Sequence, residues 1–311
     1  MRSMTLSTLT LAAAILLGAC GDDTNLTAPS TEVGPEYAMG GGGKGKGGKP
    51  SNRIVYTHQA ADGYVDIYSM NPDGSNIIRL TTASGYSSWS PRWTPDHRKI
   101  VFVSNRNVGE EIHIMNADGS NVVQLTDIGC CDRNPAPSPD GTRIAFQRVG
   151  AGIFLMNLDG SNPTQVTFNS DDVEPSWRPD GSQIVFANLT VPSIWRVNVD
   201  GTNRGVALGC GLACRAPVFS PDGTRLAFWL DRNQGEIDVY NFVTHTWFEL
   251  GLLGSGSQYA PAWSPDGSKI VFTAGYFGFD VELYSANASD GSNLTKLTSV
   301  PGADAAPSWH R

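Results

Sequence analysis

The feature that most constrains this chain is an internal repeat. A four-residue turn signature recurs as TPDH at Thr94, SPDG at Ser138, RPDG at Arg178, SPDG at Ser220 and SPDG at Ser264. Its aspartates, Asp96, Asp140, Asp180, Asp222 and Asp266, stand 44, 40, 42 and 44 residues apart. After each comes a short β-rich run, KIVFV, RIAFQ, QIVFA, RLAFW or KIVFT, which keeps Phe102, Phe146, Phe186, Phe228 and Phe272 in register. RIVYT, starting at Arg53, is a sixth copy with Tyr56 in the phenylalanine position. A second marker opens on Asn71, Asn116, Asn157, Asn198, Asn241 and Asn287; the first four of these continue as Asp-Gly-Ser/Thr-Asn after one residue, and the fifth, NFVTHT, departs.

Both markers are turn chemistry. Pro presets φ for the first corner, Asp accepts a bond from the local backbone, and Gly takes the left-handed position. Each repeat therefore predicts four short strands of period two, the first ending in a PxW pattern and the last in Leu-Thr. Strands of about five residues bury no face alone, but a four-stranded unit of this period stacked radially does. The expectation is an all-β, six-bladed β-propeller over residues 52–311. The first copy has only three strands, and APSWHR at the other end supplies a lone first strand, with Trp309 matching Trp93, Trp177 and Trp263. Pairing that strand into the N-terminal blade closes the ring and removes two free edges.

The unit PAWSPDGSKIVFTA…LYSANASDGSNLTKLT resembles the propeller repeats of the TolB family, which are similar to the N-terminal propellers of prolyl-oligopeptidase-type peptidases. The resemblance covers about residues 52–311. It implies a periplasmic protein that docks a peptidoglycan-associated lipoprotein on its propeller and reaches an inner-membrane partner through a separate N-terminal α/β domain. Here the segment before the repeats reads instead as a lipoprotein leader. One fold serves many sites, so the resemblance constrains fold more than function.

Arg2 followed by the apolar run LTLAAAILLGA predicts a secretory signal over residues 1–19, too short to span a bilayer. Leu17, Gly18, Ala19 and Cys20 resemble the bacterial lipobox, which implies cleavage before Cys20 and lipid attachment to it; Gly21 in the next position leans toward the outer membrane. Residues 20–51, with MGGGGKGKGGKP, predict a flexible tether with a root-mean-square span of about 30 Å. Beyond position 50, 18 Lys and Arg face 26 Asp and Glu, a net charge of −8. An acidic domain with no basic stripe argues against nucleic acid, whose binding depends on neutralising phosphates.

No catalytic constellation stands out. LLGSGSQ has Leu253 where a nucleophile elbow needs glycine, and His58, His97, His113, His245 and His310 lack metal-ligand spacing. In an exported domain Cys130, Cys131, Cys210 and Cys214 tend to oxidise. Cys210 with Cys214 is the favoured pair, with Cys130 and Cys131 bridged to each other or free; cross-pairing of the two loops is the rival.

Two surface features are candidate sites. Three residues before the Pro of each first strand stand Ser88, Asp132, Asp172, Cys214, Gln258 and Asp304. If these ring the channel mouth, Asp132, Asp172 and Asp304 form a site for a cation such as Ca²⁺; otherwise each caps its own loop. Tyr64, Tyr86, Trp89, Tyr259, Tyr276, Phe277 and Phe279 fall in loops at one face and suit a protein or glycan partner. The expectation is a monomeric, non-catalytic, envelope-anchored scaffold binding an envelope protein or cell-wall polymer. The alternative is a carbohydrate-active enzyme of the polysaccharide-lyase-like propeller kind.

Overall fold

The structure is a computed structural model describing residues 52–82, 84–129, 131–232, 235–250, 257–275 and 281–309. The predicted signal, Cys20, the tether, Cys130, Tyr276, Phe277, Phe279 and His310 lie outside the described residues.

Alternating β-branched and aromatic runs between turn signatures give strands and nothing else: the described residues form 24 strands and no helix. The chain opens with β1 (Ile54–Gln59), β2 (Val65–Met70) and β3 (Ile78–Arg79). Four separate four-stranded sheets follow. They are β4 (Ser88–Trp93), β5 (Lys99–Ser104), β6 (Glu111–Asn116) and β7 (Val123–Gln124); then β8 (Asp132–Pro137), β9 (Arg143–Arg148), β10 (Gly152–Asn157) and β11 (Thr164–Gln165). Next come β12 (Asp172–Trp177), β13 (Gln183–Asn188), β14 (Ser193–Asn198) and β15 (Gly205–Gly209); then β16 (Cys214–Phe219), β17 (Arg225–Leu230), β18 (Glu236–Asn241) and β19 (Thr246–Glu249). The chain ends with β20 (Ser257–Trp263), β21 (Lys269–Gly275), β22 (Val281–Asn287), β23 (Thr295–Lys296) and β24 (Ala303–Trp309).

This is an all-β propeller. The last five strands and the first three share one eight-stranded sheet, whose two halves meet at a single parallel pair, Val281 with Ala303. As the repeat arithmetic predicts, β24 pairs antiparallel with β1, setting Ile54 opposite Trp309 and His58 opposite Asp304. The first strand of each unit touches the first strand of the next, from β4 through β8, β12, β16 and β20 to β24, which also touches β4.

The core lies between sheets. Tyr56, Phe102, Phe146, Phe186, Phe228 and Phe272 are all fully buried, each contributing about 1.5–3 kcal/mol of transfer free energy. The tryptophans tie units together: Trp177 Nε1 donates to the Ala136 carbonyl (2.8 Å) and Trp263 Nε1 to that of Val218 (3.0 Å), each in the preceding sheet. Outermost strands are shorter than predicted, two residues in β3, β7, β11 and β23. Such stubs offer little free edge to another chain.

In this meander the connections alternate between two ends. One end carries the tight turns. There Gly141 (φ 71°) donates to the Ser138 carbonyl (2.9 Å) while Asp140 accepts from Thr142 N–H (3.0 Å). The other end carries the variable loops that lead into each first strand and join each second strand to the third.

Candidate functional site

At the loop end, the six equivalent positions are all 2 % exposed or less. Asp132 is held by Arg148 through two bonds, Nε to Oδ1 (2.9 Å) and Nη2 to Oδ2 (2.8 Å). Asp172 accepts from Arg204 (2.7 and 3.1 Å) and from Asn188 Nδ2 (2.8 Å). Asp304 Oδ1 lies 2.8 Å from Nδ1 of the buried His58, across the β1–β24 pairing. Ser88 Oγ bonds Ser104 Oγ (3.1 Å) and accepts from Arg106 (3.3 Å). Gln258 Oε1 accepts from the Ile237 N–H (3.2 Å), and Cys214 is disulfide-bonded to Cys210.

These positions are latches within or between units, which corrects the expectation of an open carboxylate ring. Asp132, Asp172 and Asp304 are withdrawn from solvent, and a side chain of the protein already occupies each. Desolvating a carboxylate is tolerated only when such a partner is present. Among the described residues no three His, Cys, Asp or Glu side chains come together in a group able to hold a metal ion. The described histidines stay apart: His58 meets Asp304, His97 packs on Trp93, His113 lies on Phe102 and bonds the Glu111 carbonyl, and His245 meets the Tyr240 hydroxyl.

Near the same end, Arg232 gathers Glu236 (2.9 Å), Asp238 (2.7 Å) and Glu249 (3.1 Å). Burial pushes the Asp238 carboxyl up to about 6 despite the attraction of Arg232, and its Oδ2 has no hydrogen-bond partner among the described residues. Burial likewise raises Glu111, which Thr126 Oγ1 and the Gly129 N–H (3.1 Å) oppose by donating to it.

The predicted aromatic sector is only partly assembled by its described members. Tyr64 is exposed, whereas Tyr86, Trp89 and Tyr259 are half-buried. Tyr86 donates to the Thr82 carbonyl (3.1 Å) beneath the Arg106 guanidinium, and Tyr259 stacks on Trp229 of the neighbouring sheet. The apolar surface that the sequence reading missed lies in other loops at this end. Phe168 (82 %) and Val108 (81 %) are the most exposed, and Ile128, Leu189, Val191 and Leu212 join them. These residues are aliphatic apart from Phe168, so a search for aromatics passed over them.

The central channel toward the turn end holds a second feature. Each first strand carries a residue in the left-handed region: Ser90, Asn134, Glu174, Ala216, Ala260 and Ala306, with φ between 48° and 55°. A proline follows each, and the strand register slips by a bulge at the same place. The bulge brings these six residues to the wall of a cavity of about 250 Å³. Glycine is the usual occupant of this conformation and stands at none of the six positions, so the only trace of the bulge along the chain is the sixfold proline.

Residues 49–205 match the family described as the TolB beta propeller domain. The Tol-Pal system protein TolB of Anaeromyxobacter dehalogenans (strain 2CP-C) is 35 % identical over 113 residues, 36 % of this chain and 25 % of that protein. A TolB homolog of Chlorobium luteolum is 30 % identical over 204 residues, 63 % of this chain and 47 % of that protein. The chain thus spans between a quarter and about half of the length of these relatives. Among solved structures, TolB from Acinetobacter baumannii superposes with a TM-score of 0.72 at 22 % identity, over 84 % of this chain and 67 % of that one. An oligogalacturonate lyase from Vibrio parahaemolyticus gives 0.54 at 16 % identity, over 79 % and 74 %. At such identities the likeness shows fold alone.

Proposed function

Because the chain belongs to the TolB β-propeller family, we propose that it is a non-catalytic scaffold of the bacterial cell envelope that binds an envelope protein or a cell-wall polymer through its loop end. The observation that carries this reading is the set of exposed apolar side chains in loops at that end, Phe168 and Val108 foremost. The two most exposed apolar side chains stand at that end, with Val243 (71 %) their counterpart at the turn end, and exposed apolar loops suit a partner surface. Tyr64, Tyr86, Trp89 and Tyr259, and with them Tyr276, Phe277 and Phe279, belong to the same proposal. Export through residues 1–19, lipid attachment at Cys20 and a tether over residues 20–51 complete it, placing a monomer at the outer membrane. No cation is invoked at Asp132, Asp172 or Asp304.

The ring is proposed to have six blades, with β24 serving as the first strand of the blade that continues through β1, β2 and β3. The pairing of β24 with β1 and its contacts with β20 and β4 support this. Deleting Pro307–Arg311 is then expected to abolish cooperative melting of the whole domain. A deletion variant that melts like the intact protein overturns closure.

The partner reading is tested with a photo-crosslinking residue in place of Phe168, at the loop end, or of Ser161, at the turn end. The full-length lipidated protein is expected to crosslink one discrete envelope component from position 168 only, and Val108→Asp is expected to weaken it. Equal labelling from both ends, or none, overturns the reading. Turnover of acidic polysaccharide by the purified protein would overturn the non-catalytic assignment.

A further inference from the structure

The wall of the channel cavity is divided. Three consecutive first strands, β4, β8 and β12, contribute Ser90, Arg92, Asn134, Glu174 and Ser176, with Ala136 among them; the other three, β16, β20 and β24, contribute Ala216, Val218, Ala260, Ala262 and Ala306. A sixfold repeat has thus been given one polar and one apolar half. Ser308 on the apolar side is engaged by the Trp93 N–H (3.4 Å).

Two charges line the polar half, and their circumstances differ. Glu174 is satisfied: its Oε2 accepts from the Ala216 N–H (2.8 Å), and Oε1 lies 3.8 Å from Arg215. Arg92 donates to the carbonyl of its own neighbour Pro91 (2.9 Å) and forms no ion pair among the described residues. Removal from water, only partly offset by the more distant Glu174, pushes its pKa down to about 10. Half-buried at the channel wall and with no carboxylate paired to it among the described residues, this guanidinium presents a planar fork suited to binding one. The cavity has room for on the order of eight waters, or for one carboxylate on a short alkyl chain.

We propose that the channel is a binding site for a small amphipathic monocarboxylate, its carboxylate on Arg92 and its alkyl body against Ala216, Val218 and Ala260. The bulge residues set the fit, because the backbone approaches the axis where alanine leaves space. Such a ligand enters a mostly preformed site, since the bulges are held by the sheet pairing on either side.

Titration calorimetry on the full chain at pH 7 tests this with hexanoate, hexanamide and hexan-1-ol. Hexanoate is expected to bind saturably, and the two uncharged probes roughly tenfold or more weakly, as loss of a charge-assisted hydrogen bond predicts. Arg92→Met is expected to remove the difference between hexanoate and hexanamide, and Ala260→Phe, which fills the apolar half, to weaken every probe. If Arg92→Met does not fold, the comparison of probes on the unaltered protein still decides. Absence of saturable hexanoate binding, equal binding of hexanoate and hexanamide, or hexanoate affinity undiminished in a folded Arg92→Met overturns the proposal.

Discussion

The two ends of this propeller are built on opposite plans. At the turn end, copy after copy makes the same bonds: Ser138, Ser220 and Ser264 each donate to the aspartate two residues on (2.5, 2.6 and 2.6 Å). The second turn repeats as well, since a Cβ on Gly74, Gly119 or Gly160 would collide with the carbonyl oxygen of the leucine that ends the preceding unit, Leu297, Leu80 or Leu125. At the loop end the six equivalent positions are filled by Ser, Asp, Asp, Cys, Gln and Asp, and no two share the same partners. Repetition at one end packs neighbouring units alike, while variation at the other individualises a surface. The proposed scaffold role needs both.

Four substitutions probe that contrast. The largest effect is expected from Gly119→Ala, whose new Cβ would lie 2.4 Å from the Leu80 carbonyl oxygen at a φ of 85°. Strain and backbone clash together predict a loss of about 3 kcal/mol in denaturant unfolding. Gly129→Ala at the loop end, where a Cβ meets nothing within 4 Å, is the control. A loss there equal to that of Gly119→Ala would break the contrast.

Asp238→Asn comes next. A carboxyl whose folded pKa is raised to about 6 binds its proton more tightly in the folded state. Its stabilising contribution is present below the ordinary carboxylate pKa of about 4 and is lost as pH rises through 6. The variant is therefore expected to lack this slope and to gain about 2 kcal/mol on the native protein between pH 4 and 8, read from urea midpoints. Parallel pH curves would show that burial of Asp238 carries no such penalty.

Asp172→Ala strands Arg204, itself 31 % exposed, so the expected loss is near the low end for a broken buried pair, about 2 kcal/mol. Thermal unfolding with calcium present is expected to match that without it, for variant and native protein alike. The smallest effect is expected from His97→Gly. His97 stands at φ 57°, where Gly141, Gly181, Gly223 and Gly267 occupy the other four turns. Relief of left-handed strain predicts a gain of up to about 1 kcal/mol, reduced by lost packing on Trp93. A loss would mean that the histidine ring matters more than its backbone.

The turn end was legible because its chemistry is local. Asp140 bonds a backbone two residues away, and Phe146 faces inward because strands alternate with period two. The loop end was legible only as a set of equivalent positions. Asp132 meets Arg148, Asp172 meets Asn188 and Asp304 meets His58 at one repeated cross-strand position, but the partner's residue type changes from copy to copy, and Asp172 also reaches Arg204, 32 residues away. The bulge was hidden for another reason. Left-handed backbone is normally signalled by glycine, and here sheet pairing imposes it on Ser, Asn, Glu and Ala.

The sequence by itself determined the unit, its period, its turn chemistry and the need for a last strand to complete the first copy, since all of these follow from residues within about forty of one another. Only the tertiary structure decided that the loop-end aspartates are sealed by their own chain. It also decided that three consecutive strands make one side of the channel polar and leave Arg92 facing an alanine wall. The first outcome depends on which side chain each copy places at the cross-strand position, and the second on which units stand beside one another, and a pattern read along the chain carries neither.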